Sequence, residues 1–100
     1  MNSRHQLPLL AEASANGNGA DQQYAGGRTR LLTEATGFGG GTVTVQFKTP
    51  RGNYITVTGL SGTANALSDV VELPAGVYRA VLAGATGPTG VYAVLLGTAN

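Results

Sequence analysis

The feature that most restricts this chain is a two-residue period of apolar side chains, interrupted once by a tight turn. In TVTVQFK (42–48), Val43, Val45 and Phe47 alternate with Thr42, Thr44, Gln46 and Lys48; in NYITVT (53–58), Ile55 and Val57 alternate with Tyr54, Thr56 and Thr58. That period puts each set on one face of a β-strand. Between the runs lies Pro50-Arg51-Gly52. Proline presets φ for the first turn position and glycine accepts the left-handed conformation that follows, so the spacing predicts a hairpin with a three-residue loop. The loop sets a register: Thr49 faces Asn53, Lys48 faces Tyr54, Phe47 faces Ile55, Gln46 faces Thr56, Val45 faces Val57 and Thr44 faces Thr58. Apolar then meets apolar on one side and polar meets polar on the other, an agreement that a one-residue slip would destroy. Val43, Val45, Phe47, Ile55 and Val57 are the core that this register predicts.

The same punctuation recurs at Pro74-Ala75-Gly76, between DVVEL (69–73) and VYRAVLA (77–83), which suggests a second hairpin. RTRLLTE (28–34) reads as a further strand. The last run, VYAVLL (91–96), is apolar on both faces, as in a strand at the middle of a sandwich or one whose outer face a partner covers. Residues 28–100 are therefore expected to be all-β, a small antiparallel β-sandwich or barrel of about six strands.

Ahead of it, residues 1–27 read as an extended N-terminal arm. NGNGADQQYAGG (16–27) has the composition of a linker, and the apolar spots are Leu7, Leu9, Leu10 and Tyr24. An arm of this kind cannot by itself offset an ordering cost of about 1–2 kcal/mol per residue. It is expected to lie on a partner through those four side chains, and Asp at Leu9 and Leu10 is expected to leave the domain stable.

Only 11% of the 100 residues are charged, against roughly 25% in an average soluble domain, while 16 are Gly and 12 are Thr. A weakly charged surface suits burial against other protein. Net charge is +1, with Arg4 against Glu12 and Asp21 in the arm, and five bases against three acids in residues 28–100. No basic field exists to attract nucleic acid or an anionic membrane. Arg28, Arg30, Lys48 and Arg51 could gather at one end of a sheet, but without aromatic stackers they fit an acidic protein surface at least as well as a nucleic acid. The absence of cysteine excludes disulfides and thiolate metal sites. LPLLA after Arg4 and His5 is too short for an export-signal core and is followed by Glu12, and no membrane-length apolar run is present.

Candidate chemistry is sparse. His5 is the sole histidine and sits near a polar terminus where nothing can fix it against a hydroxyl. Asp69 and Glu72 lie three apart on a strand and point to opposite faces. NGNGAD is one imperfect copy of a glycine-aspartate calcium repeat that binds only in stacks, with Gln23 where a large apolar residue belongs. GFGGGT (37–42) has no Lys-Ser/Thr and no following helix to hold a phosphate. The threonine pairs on the hairpin are ordinary solvent-face strand residues. No catalytic residue, metal or cofactor is expected, and the chain is not read as an enzyme.

VELPAGVYRAVLAGATGPTGVYAVLLGT, with LPAG ahead of Tyr78 and Arg79 and a glycine-led closing strand GVYAVLL, resembles the small β-rich accessory proteins of tailed-phage heads: decoration or cement proteins and head-fibre bases. The resemblance covers roughly residues 28–98. It implies a structural virion protein made in the host cytoplasm that binds the outside of an icosahedral capsid in many copies, often as a trimer. Its partners would be the major capsid protein and other copies of itself. Carried onto this chain, the arm would anchor across capsomer seams by Leu7, Leu9, Leu10 and Tyr24, with Arg28 and Arg30 at its root. The other reading is a ligand-binding β-module on a fibre or tail, recognising carbohydrate or a receptor, for which Tyr54, Tyr78 and Tyr92 are the domain's tyrosines.

Overall fold

The alternating runs become antiparallel strands, and so does most of the segment ahead of them. The computed structural model describes residues 6–97, which form β1 (Gln6–Ala13), β2 (Gly17–Asn18), β3 (Gln22–Tyr24), β4 (Gly27–Glu34), β5 (Thr42–Lys48), β6 (Tyr54–Gly62), β7 (Ala66–Leu67), β8 (Val71–Leu73), β9 (Gly76–Ala83) and β10 (Val91–Gly97). Two five-stranded sheets result. The first has the order β1-β10-β4, with β7 and β8 both on the far edge of β4; the second has β2 and β3 on one edge of β9, then β5, then β6. The fold is an all-β sandwich. His5 lies outside the described residues.

All six expected strands are present, and the hairpin loop closes as the sequence requires: the Thr49 amide donates to Asn53 O at 2.7 Å, and the Gly52 amide to Thr49 O at 2.8 Å. Lys48–Tyr54, Phe47–Ile55 and Gln46–Thr56 pair as expected. Beyond them the register shifts, and Thr44 faces Ser61 instead of Thr58. The surplus residues in β6 form a bulge at Gly59, whose φ of +93° a side chain would strain. The bulge turns Leu60 fully into the core.

Val43 and Val45 are buried and Phe47 and Val57 pack against the core, but Ile55 is 55% exposed. That corrects the expected core. Strand β6 is an edge, and it approaches the other sheet beyond the bulge, where Gly59 meets Val71 and Gly62 meets Thr33. Ile55 sits at the hairpin end and protrudes. Pro74-Ala75-Gly76 is not a hairpin either, because β8 pairs with β4 in the first sheet while β9 belongs to the second. The turn hands the chain between sheets, held by the Tyr78 hydroxyl donating to Pro74 O at 2.6 Å.

The larger correction concerns residues 6–27, which are strands of the sandwich itself. Strand β1 pairs along β10, with Leu7 opposite Leu95 and Leu10 opposite Ala93. Leu9, Leu10 and Tyr24 are core residues and Leu7 packs against them. The partner that orders this segment is the rest of its own chain. NGNGADQQYAGG fits because its small residues allow close approach: a Cβ on Gly19 would collide with the carbonyl of Leu9. The Asn16 side chain acts as a substitute peptide, donating to Ala85 O and accepting from the Ala85 amide, both at 2.9 Å. Next to it, Gly17 and Asn18 pair with Leu82 and Val81.

Between the sheets, Tyr78 is fully buried, edge-on to Tyr24 at 5.9 Å and tilted against Phe47 at 5.2 Å. The Thr29 hydroxyl donates to Gly27 O at 3.0 Å, so in its 2.8 Å contact with the Tyr24 hydroxyl Thr29 Oγ1 is the acceptor. Thr33, also buried, donates to Ala64 O at 2.7 Å. Every hydroxyl in this core is thus satisfied, as burial demands.

Two outcomes follow. Leu9→Asp with Leu10→Asp is expected to unfold the protein, since one buried unpaired carboxylate already costs on the order of 5 kcal/mol against a total stability of similar size. Thermal unfolding followed by circular dichroism checks this, and a stable variant would return the segment to the status of an arm. Desolvation, with Tyr24 adding to it, pushes the Tyr78 phenol up from 10.0 to about 12. A group whose folded value is raised contributes stability below its unfolded value, so wild-type stability is expected to fall as pH rises from about 10 to about 12. In Tyr78→Phe, denaturant titrations across that window should show a flatter decline, alongside a loss of about 1–2 kcal/mol at neutral pH from the missing hydrogen bond.

Candidate protein-binding face

Strand β10 explains where an apolar surface is left over. Val91, Ala93 and Leu95 point into the core cluster, which leaves Tyr92, Val94 and Leu96 on the outer face of the first sheet. On β4, Thr29, Leu31 and Thr33 point inward and Arg28, Arg30, Leu32 and Glu34 outward. Register then aligns the outward residues in rows across the strands. Pro8 faces Val94, Val94 faces Leu32, and Leu32 faces Leu67.

This row runs unbroken across four strands, about 14 Å at the usual strand spacing. Its exposure is uneven: Pro8 is exposed and Leu67 is 52% exposed, Leu32 is half-buried, and Val94 between Pro8 and Leu32 is only 8% exposed. The neighbouring rows carry charge, with Arg30 opposite Leu96 on one side and Glu34 opposite Tyr92 on the other. Beyond Glu34 a shallow cleft of about 320 Å³ is lined by Glu12, Glu34, Ala35, Thr36, Gly90 and Tyr92. Glu12 sits there at φ +56°, where β1 bulges between Leu10 and Ala13.

The outer face of the second sheet has the opposite character. The Tyr54 ring reaches from the edge strand across its neighbours, with the Arg79 guanidinium 3.5 Å from the ring centroid. Its hydroxyl donates to the Asp21 carboxylate at 2.9 Å, and Lys48 Nζ approaches the same carboxylate at 3.3 Å. Arg79 Nε donates to Gln46 Oε1 at 2.8 Å. These groups satisfy one another. The Tyr54 hydrogen bond, more than Lys48 or Arg79, holds the Asp21 carboxyl below its ordinary 3.8.

The residues singled out in the sequence are therefore dispersed. Leu9, Leu10 and Tyr24 lie in the core with Leu7 against them, Arg28 and Arg30 lie on the outer face of the first sheet, and Lys48 lies on the opposite outer face. The four bases do not form one patch. Tyr78 is buried, Tyr54 is on the second sheet and Tyr92 on the first, so no tyrosine platform is assembled. The face that the sequence missed was signalled by the double apolarity of VYAVLL. Leu67 carried no such signal, since it pairs through a two-residue strand inside a polar loop. Among the described residues, no three His, Cys, Asp or Glu side chains group as metal ligands, and no helix is long and apolar enough to cross a membrane. No protein-family model, curated protein or solved structure matches this chain.

A depressed carboxyl contributes stability above its unfolded value and loses it as pH falls through the folded one. Denaturation curves of Asp21→Asn are therefore expected to show lower stability than wild type at neutral pH, with the gap closing as pH drops below 3.8. A gap that persisted unchanged in acid would mean that the carboxylate charge is not what holds Tyr54.

Proposed function

We propose that this chain is a structural, non-catalytic protein that decorates the outside of a multi-subunit protein shell and joins protein neighbours there through the outer face of its first sheet. The apolar row of Pro8, Val94, Leu32 and Leu67 carries this reading. A row of that length, flanked by Arg30 and Glu34, has the make-up of an interface: an apolar centre with a charged rim. The resemblance in residues 28–98 points to an icosahedral phage capsid as the shell and to its major capsid protein as a partner.

Cementing is a mechanical task, and the fold suits it. Each copy need contribute only a modest interface, because the effect multiplies over the shell. The low charge lets copies crowd with little mutual repulsion. A glycan-binding module fits less well, since a sugar needs a free aromatic face and Arg79 already covers one side of Tyr54.

Co-sedimentation with assembled phage shells that lack decoration tests the reading. Wild type is expected to pellet at saturable stoichiometry, and Leu32→Asp to pellet on the order of tenfold more weakly while keeping its fold by circular dichroism. Wild type that stays in the supernatant with every shell would sink the proposal.

A further inference from the structure

Along β4 the outward positions read Arg30, Leu32, Glu34, so the apolar row has a cation on one side and an anion on the other, each about 7 Å away. We propose that the occupant of this face is a second copy of the chain, packed face to face about a two-fold axis that runs along the row. The inference rests on reading this face as an interaction surface, and it names the partner.

A half-turn about that axis leaves each residue of the row in place and reverses position along the strands. Leu32 and Val94 then meet their own counterparts, Arg30 of each copy meets Glu34 of the other, and Leu96 meets Tyr92. The acidic cleft beyond Glu34 comes to lie over the opposite end of the partner face, which carries Arg30 and the Arg28–Glu72 cross-strand pair. An axis parallel to the strands through the middle of the row would instead set Arg30 against Leu96 and Glu34 against Tyr92, leaving both charges without a partner. Charge thus selects one of the two in-plane symmetries.

Area permits it as well. The sandwich measures 36 × 33 × 19 Å, so its broad face is large enough for the roughly 800 Å² per partner that a stable interface buries. Such a dimer is two-fold, in place of the trimer that the resemblance implies, and it would present two shell-binding copies as one bivalent unit.

The test is sedimentation velocity of the full chain without shells, for wild type, Arg30→Glu, Glu34→Arg, the double variant and an equimolar mixture of the two single variants. Wild type is expected to be a dimer. Each single variant places like charges at two symmetric positions and should weaken the dimer on the order of a hundredfold. The double variant, and the mixture as a heterodimer, should recover wild-type association. Wild type that stays monomeric at its highest soluble concentration overturns the proposal, as does an Arg30→Glu protein that dimerises like wild type. The two readings fail separately: a monomer that still pellets with shells overturns only the dimer, whereas a charge-dependent dimer that pellets with none upholds it and overturns only the shell reading.

Discussion

The sandwich depends on the pairing of its N-terminal segment with one long strand in each sheet, β10 and β9. Strand β10 is interior to the first sheet because β1 lies beside it, and β9 is interior to the second because β2 and β3 do. Without residues 6–24, these two long strands would each have a bare row of amides and carbonyls, the arrangement that promotes edge-to-edge aggregation. One segment covers both. The crossing from β1 to β2 and β3 also ties the two sheets together along one side, where Leu9 and Leu10 enter the core and Gly19 touches the Leu9 carbonyl. A chain of this size without disulfides has little core to spare, and here it recruits a linker-like stretch into that core.

What could be read from the sequence was what local periodicity and turn chemistry decide. TVTVQFK and NYITVT announced a hairpin whose first three pairs are as expected, because Pro50 and Gly52 fix the loop and the alternation fixes the faces. The expected register failed past Gln46, where tertiary demand took over: Leu60 has to reach the core, and Gly59 gives β6 the bulge that lets it. Pro74-Ala75-Gly76 was read as a hairpin because a turn looks the same whether the next strand returns to its own sheet or crosses to the other. The segment 16–27 was opaque for a different reason. Its order comes from partners some 60 to 70 residues away, such as Ala80 and Ala85, and no local pattern encodes them.

The two outer faces show what the chain does with polar groups. On the second sheet Asp21, Gln46, Lys48, Tyr54 and Arg79 interlock, and the Tyr54 ring bridges strands that share no backbone hydrogen bonds. That face has little binding capacity left to offer, because any new partner would have to match contacts already made. On the first sheet the equivalent positions of β10 and β7 are Tyr92, Val94, Leu96 and Leu67; Val94 is already covered by its neighbours, while Tyr92 and Leu96 are half-buried and Leu67 is exposed. The double apolarity of VYAVLL therefore has two causes. Its inner half builds the core, and its outer half supplies the face proposed above for assembly.

An apolar row on a flat sheet is also a hazard, since apolar contact alone does not distinguish one alignment from another. Arg30 and Glu34 limit that freedom. Sliding one face past the other by two residues along the strands would set Leu32 against a charged side chain, stripping it of water without a partner. Rotating the faces to an axis parallel with the strands would set Arg30 against Leu96 and Glu34 against Tyr92, leaving both charges without a partner. In the proposed dimer the apolar row lies on the two-fold axis and the arrangement closes on itself, so assembly through this face would stop at two. Growth beyond two then has to use other surfaces. Under the proposed shell-binding role those surfaces would be supplied by the lattice underneath, so that the order of the array would be a property of the shell and the sandwich would have the simpler task of joining neighbours in pairs.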